Sequence, residues 1–142
     1  MAVIVFTNAM VLVNSVDLSD HATKITCTDD RAQIDVTAFS SNGYIQTTKG
    51  LGTAQIDIDF LQDFAAGKVH ATLSPLIGST TPIAVEVRPV NAARSTTNPA
   101  ILLSSALLFT YKGLDSQVGN AAATTASFLN APGGPGISYP TS

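Results

Sequence analysis

The chain is 142 residues long, the length of a single domain, and only 12% of its residues are charged, against about 25% in an average soluble domain. Seven basic and ten acidic residues give a net charge of −3, which excludes a strongly basic nucleic-acid-binding protein. Ala, Ser and Thr account for 49 residues, so copies of the protein should repel one another only weakly, which favours association.

The beginning of the chain shows no sign of secretion. Its apolar stretch, residues 2–13, has no basic segment before it and is interrupted by Thr7 and Asn8, so we predict neither a signal peptide nor a membrane span. The single cysteine, Cys27, cannot form an intramolecular disulfide, and no Asn-x-Ser/Thr glycosylation sequence occurs. We therefore expect synthesis and folding in a reducing cytoplasm.

Most of the chain alternates with the two-residue period of half-buried strands. In chain order, the predicted strands are residues 11–16, 24–28, 33–37, 55–60, 83–87, 101–111 and 122–129. Within 33–37 and 55–60, apolar residues occupy one face and the carboxylates of Asp35, Asp57 and Asp59 occupy the other, because side chains alternate across a strand. The pattern predicts an acidic, solvated sheet face.

A long polar segment, residues 39–53, separates two of these strands. Gly43 and the Gly50/Gly52 pair place turn signals at its two ends. Loops of this length inside a compact domain are usually functional or disordered, so we predict a long loop with a role outside its own domain.

One segment changes from the strand period to a helical period. Between residues 64 and 78 the apolar stripe has the spacing i, i+4, i+7 and i+8, which predicts a helix packed on the sheet through Val69, Leu73, Leu76 and Ile77. Asp63 is placed to cap its start and Gly78 to end it. Pro75 should distort the last turn.

The end of the chain, residues 131–142, has three Gly and three Pro in twelve positions, which predicts a tail that is flexible or is ordered only by a neighbouring subunit. Residues 1–142 thus form one predicted domain. Its fold class is mainly β, a β-sandwich or barrel with one packed α-helix.

Catalytic chemistry finds little support. The chain lacks a nucleophile elbow, a phosphate-binding loop and a dinucleotide fingerprint. Asp57 and Asp59 are spaced for paired-carboxylate chemistry, but both should be solvated, and His21 and His70 with Cys27 are too few for a zinc site. We therefore predict no enzyme activity, no catalytic residue, no cofactor and no metal.

Several short runs lie along the chain: DVTAF at 35–39, DIDFLQDFAAG at 57–67, ATLSPLIG at 71–78, VEVRP at 85–89, TNP at 97–99 and LDSQVG at 114–119. Over about residues 10–130, they resemble the small tail tube (major tail) proteins of long-tailed, siphovirus-like bacteriophages and related phage-derived particles. The resemblance implies a β-sandwich or barrel with a flanking helix. It also implies a structural virion protein whose subunits close into rings, commonly hexamers, that stack into a tube through which DNA is ejected.

By position, the resemblance makes residues 39–53 a loop that bridges to neighbouring subunits. Because the loop has only one basic residue, Lys49, we expect contacts from Tyr44, Ile45 and Leu51 beside it. It makes Asp35, Asp57 and Asp59 candidates for the lumen, where an acidic wall would let DNA pass without holding it. The implied partners are other copies of the chain, the tape-measure, tail terminator and distal tail proteins, and DNA in transit. The implied location is the virion tail, after synthesis and assembly in the host cytoplasm.

Other functions remain open at this level. A tail terminator or capsid decoration protein would form single rings or capsid-bound oligomers. A carbohydrate-binding β-sandwich module would need a row of exposed aromatic residues, and the chain has no Trp and three Tyr. A small hydrolase would depend on His70 or Asp57.

Overall fold

The computed structural model describes residues 3–142, so Met1 and Ala2 of the predicted domain lie outside the described residues. It contains a 3-10 turn at Phe39–Ser41, one α-helix, α1, at Val69–Leu73, and eight strands. The strands are β1 (Met10–Val13), β2 (Val16–Asp17), β3 (Ala22–Asp35), β4 (Thr47–Leu61), β5 (Ile83–Arg88), β6 (Ile101–Tyr111), β7 (Ala123–Asn130) and β8 (Ile137–Ser138).

All the strands join one antiparallel sheet in the order β2-β1-β5-β6-β7-β4-β3, with β8 beside β6. Val11 on β1 and Ile58 on β4 are fully buried in the same apolar cluster, although three strands separate β1 from β4 in the sheet. The sheet must therefore curl around a single core, because a flat sheet would keep these strands apart. The predicted fold class, mainly β with one packed helix, is confirmed.

The core is built by the strict alternation that the sequence shows at residues 55–60. Ile56, Ile58 and Phe60 are fully buried, while Asp57 and Asp59 between them are half-buried on the other face. Burying each large apolar side chain contributes about 1.5–3 kcal/mol, so this strand is a main source of stability.

The helix is shorter than predicted. It has five residues instead of most of 64–78, because Gly67 takes a left-handed φ of 75° and Pro75 follows directly on its C-cap, Ser74. Val69 and Leu73 are fully buried and Leu76 packs against the core, but Ile77 is 44% exposed and does not pack on the sheet. The packed part of the stripe thus extends past the helix to Leu76 and excludes Ile77.

Asp63 does not cap the helix, because α1 begins six residues later. Its carboxylate instead accepts a hydrogen bond from the backbone N–H of Ala65, and Lys68 occupies the N-cap position without a side-chain hydrogen bond. Gly78, likewise, lies in the turns that follow the helix and does not end it.

The C-terminal segment is held against the sheet, in contrast to the predicted flexible tail at 131–142. β8 pairs with Leu102 and Leu103 of β6, and Ala131 is buried. The Pro140 carbonyl accepts a hydrogen bond from Ala100 N–H. This happens because β7 pairs with β6 only from Ala106 onwards, which leaves the first residues of β6 free to pair with the tail.

Across residues 3–142, no helix is long and apolar enough to cross a membrane.

Candidate assembly surfaces

The β3–β4 hairpin extends beyond the rest of the sheet. β7 pairs with β4 only as far as Gln55, opposite Leu129. Beyond this point the strands pair with each other, down to Asp35 opposite Thr47, and a hydrogen bond from Val36 N–H to the Gln46 carbonyl starts the connecting loop. We call this two-stranded projection, residues 29–54, the arm.

The predicted loop at residues 39–53 is wrong for its second half, which is a strand. Residues 47–53 are the first half of β4, so only 36–46 connect the strands, and the separately predicted strands 24–28 and 33–37 are one continuous β3. The polar, glycine-containing sequence looked like a loop because the arm has no core to bury a regular apolar face.

The register shifts by one residue in the arm. Arg31 lies opposite Gly52 and Gln33 lies opposite Lys49, so β4 carries one extra residue, a β-bulge. A Cβ on Gly52 would lie 2.6 Å from Nη1 of Arg31, and one on Gly50 would lie 2.7 Å from Cδ1 of Ile34. Because Gly52 and Gly50 have no Cβ, the side chains of Arg31 and Ile34 on β3 can lie across β4. These two side chains lie on opposite faces of the arm.

Asp35 does not share a face with Asp57 and Asp59, because of the register in which β3 pairs with β4. Asp57 lies opposite Thr26 and faces away from the core, whereas Cys27 faces the core. Counting along β3 from Cys27 in steps of two reaches Asp35, which therefore lies on the core-side face of the sheet, out on the arm. Hydrogen bonds from the Thr37 hydroxyl and N–H lower the pKa of the Asp35 carboxyl.

The arm exposes many apolar side chains for its size. Among the residues predicted to make subunit contacts, Tyr44 and Ile45 lie in the loop and Lys49 and Leu51 lie on β4, all exposed, with Leu51 at 89%. The structure adds three exposed apolar residues that we did not single out: Ile34, Val36 and Phe39. Phe39 had a usable signal, since an aromatic residue inside a polar loop has no local core to fill.

The face that carries Asp57 and Asp59 is hydrophilic across three strands. Asp57 accepts two hydrogen bonds from Gln55 Nε2, at 2.8 and 3.0 Å, and lies opposite Ser127 on β7. Asp59 accepts a hydrogen bond from the Thr125 hydroxyl at 3.0 Å and lies opposite Lys24 on β3. The face therefore presents carboxylates among hydroxyl and amide groups.

The two histidine rings have structural hydrogen-bond partners. His21 places Nδ1 at 2.7 Å from Asp20 and Nε2 at 2.9 Å from Asp63. His70 places Nδ1 at 2.7 Å from the Tyr111 hydroxyl. In residues 3–142 neither imidazole ring hydrogen-bonds the side chain of a serine, threonine or cysteine, so the Ser–His pairing of a hydrolase is not formed there.

Cys27 and the acidic residues show no arrangement for binding metal. Burial raises the pKa of the Cys27 thiol to about 11, which favours the protonated thiol at neutral pH. The part of the chain that the structure describes has no group of three or more His, Cys, Asp or Glu side chains that could hold a metal ion.

No protein-family model and no curated protein matches the chain. Several solved structures, however, are similar to it. A chain in the virion of a native gene transfer agent superposes with a TM-score of 0.67 at 11% identity, covering 93% of this chain and 95% of its own. One in the sheath-tube complex of an extracellular contractile injection system, PVC, in the extended state gives 0.66 at 11% identity, with 99% and 93% covered.

A third similar chain comes from the tail of an empty gene transfer agent particle, whose helical refinement has C6 symmetry. It gives a TM-score of 0.61 at 12% identity and covers 84% of this chain and 81% of its own. These superpositions extend over almost the whole of both chains. This chain has the tail tube fold. The tail tube fold was the one implied by the short runs of residues in the sequence.

Proposed function

We propose that this protein is a structural subunit of a tail tube, which associates into hexameric rings that stack and enclose a channel for DNA. The tail tube fold supports the proposal, and C6 symmetry is that of one of the similar tails. The observation that carries it is the arm. A two-stranded ribbon with exposed apolar side chains is marginally stable by itself, so the arm needs a partner outside its own domain.

In this proposal the arm bridges to neighbouring subunits through Tyr44, Ile45, Lys49 and Leu51, assisted by Phe39. Long free strand edges are a liability in a monomer, and β3 is an edge strand of fourteen residues. Pairing with another copy would satisfy its free N–H and C=O groups. The low charge of the chain adds little repulsion to such contacts.

We assign the lumen to the face that carries Asp57 and Asp59, and leave Asp35 out of it. DNA has one negative charge per about 1.7 Å of helix axis, so a basic wall would hold it by many contacts. On this face the carboxylates of Asp57 and Asp59, among the hydroxyl groups of Thr125 and Ser127, outnumber Lys24, so the face offers DNA little positive charge to bind.

The subunit would act without catalysis and without a cofactor. Its remaining proposed partners are tape-measure, tail terminator and distal tail proteins, and its location is the virion tail after synthesis and assembly in the host cytoplasm. Each of these follows from the tube role, so the tube is what must be tested.

Electron microscopy of the purified full-length protein tests the proposal directly. We expect hollow tubes with six subunits per ring. Single rings that never stack would instead indicate a terminator-type ring protein and overturn the tube subunit proposal. Monomers at all concentrations and salt conditions would overturn the proposal.

A further inference from the structure

The end of β4 that lies opposite the arm also exposes apolar side chains. The last pair of β4 and β7 there is Leu61 with Ala123, followed by a hydrogen bond from Gln62 N–H to the Ala122 carbonyl. Two loops leave the sheet at this point. We call these loops, residues 62–65 and 112–122, the far end.

Three large apolar residues of the far end face solvent. Phe64 is 59% exposed, Leu114 is 67% exposed and Val118 is fully exposed. Leu61, at the edge of the sheet beside them, is partly exposed as well. Single exposed apolar residues are ordinary on a protein surface, but several on adjoining loops indicate a contact surface.

The far end is held in place by hydrogen bonds. Gln62 Nε2 donates to the Tyr111 hydroxyl at 2.9 Å and to the Gly113 carbonyl at 2.5 Å, which ties the two loops together. The Tyr111 hydroxyl also contacts His70, whose ring centre lies 4.9 Å from that of Phe64. A surface fixed before binding loses little conformational entropy when a partner arrives.

Only another copy of the chain can bring the arm and the far end together. They lie at opposite ends of β4, whose 15 residues span about 50 Å at a strand rise of about 3.4 Å per residue. A subunit therefore cannot cover its own far end with its own arm. Contact between the arm of one copy and the far end of the next covers both surfaces and repeats from copy to copy, as a head-to-tail contact does.

Charge is compatible with this contact. Lys49 is the only charged residue in 36–53, and it is exposed. The far end exposes the Asp115 carboxylate, whose neighbour Lys112 is 3.9 Å away and itself exposed. Residues 36–53 of the arm, which carry one positive charge and no negative charge, thus meet a surface that carries Asp115 beside Lys112.

We propose that the far end, through Phe64, Leu114 and Val118, is the surface that receives the arm of a second copy. This inference rests on the proposed function and specifies which subunit surface the arm contacts. The stacking of rings then depends on these three far-end residues as well as on the arm.

Cysteine cross-linking tests the contact. Tyr44→Cys protein and Val118→Cys protein are mixed, assembled and oxidised, and disulfide-linked dimers are measured by non-reducing electrophoresis. We expect dimers at roughly tenfold or more above the control, since thiols held together react at an effective concentration in the millimolar range. The matched control pairs Tyr44→Cys with Ser104→Cys, an exposed site on β6. Native Cys27 contributes little, because burial keeps its thiol protonated.

Microscopy of the same samples separates the two proposals. Tubes with dimers above the control support both. Tubes with dimers only at the control level overturn the far end as the receiving surface and leave the tube function standing. Dimers without tubes support the head-to-tail contact and overturn the tube, and absence of both overturns both. Val118 is fully exposed, so its replacement leaves folding intact.

Discussion

The two halves of the β3–β4 hairpin share their strands but not their surroundings. Near Ile58, β4 lies between β3 and β7 and one face is buried in the core. In the arm, β3 and β4 pair only with each other, and Leu51 and Ile34 are exposed. An apolar residue in a strand is therefore buried only where neighbouring strands and the core cover it, which its local sequence pattern does not show.

The largest expected difference between the halves is in stability. Replacing Phe60→Ala removes a fully buried ring from the core and should lower the free energy of unfolding by about 3–5 kcal/mol. Leu51→Ala, on the arm, should change it by less than about 0.5 kcal/mol. Urea unfolding of the monomeric protein measures both. Similar losses for the two variants would mean that the arm packs on its own subunit.

The reverse difference is expected in assembly. Leu51→Asp combined with Ile45→Asp should prevent tube formation, since each of these side chains contributes about 1.5–3 kcal/mol where it becomes fully buried. Sedimentation and electron microscopy measure the loss, and urea unfolding should be unchanged. Thr48→Asp is the matched control on the same strand, exposed but polar. Normal tubes from the double variant would show that the arm is dispensable.

A smaller effect is expected on the sheet face that carries Asp57, in the half of the hairpin that packs on the core. Asp57→Lys should leave tubes intact but make them retain duplex DNA at low salt, with release as salt rises, because each new cation adds a phosphate contact. Asp17→Lys on β2 changes the net charge equally and is exposed elsewhere. DNA that co-sediments equally with both variants would remove Asp57 from the lumen.

The smallest effect is at the base of the hairpin, where Asp63 contacts His21. The N–H of Ala65 and the His21 ring lower the pKa of the Asp63 carboxyl below its ordinary value of 3.8. A lowered carboxyl pKa adds stability above the unfolded value, which is lost as pH falls through the folded value. Asp63→Asn should therefore reduce the fall in melting temperature between pH 5 and pH 2, roughly the interval over which such a carboxyl titrates. An unchanged fall would contradict this role.

The sequence was most reliable where local pattern and tertiary structure agree. The alternation of Ile56, Ile58 and Phe60 predicted both the strand and its buried face, because β7 and the core lie beside it. The helix was predicted through Ile77 but stops at Leu73, since a periodic stripe does not reveal the left-handed backbone at Gly67. The predicted mobile tail pairs with β6, a non-local contact that its Gly and Pro content could not show.

By itself, the sequence determined a mainly β domain of low charge and the identity of its core strands. Only the tertiary structure decided that the polar segment around residues 39–53 belongs to an arm, that the β3–β4 register places Asp35 on the opposite face from Asp57, and that Phe64, Leu114 and Val118 lie at the other end. The physical reason is that alternation along a strand is local, whereas register and strand neighbours depend on residues far apart in the chain.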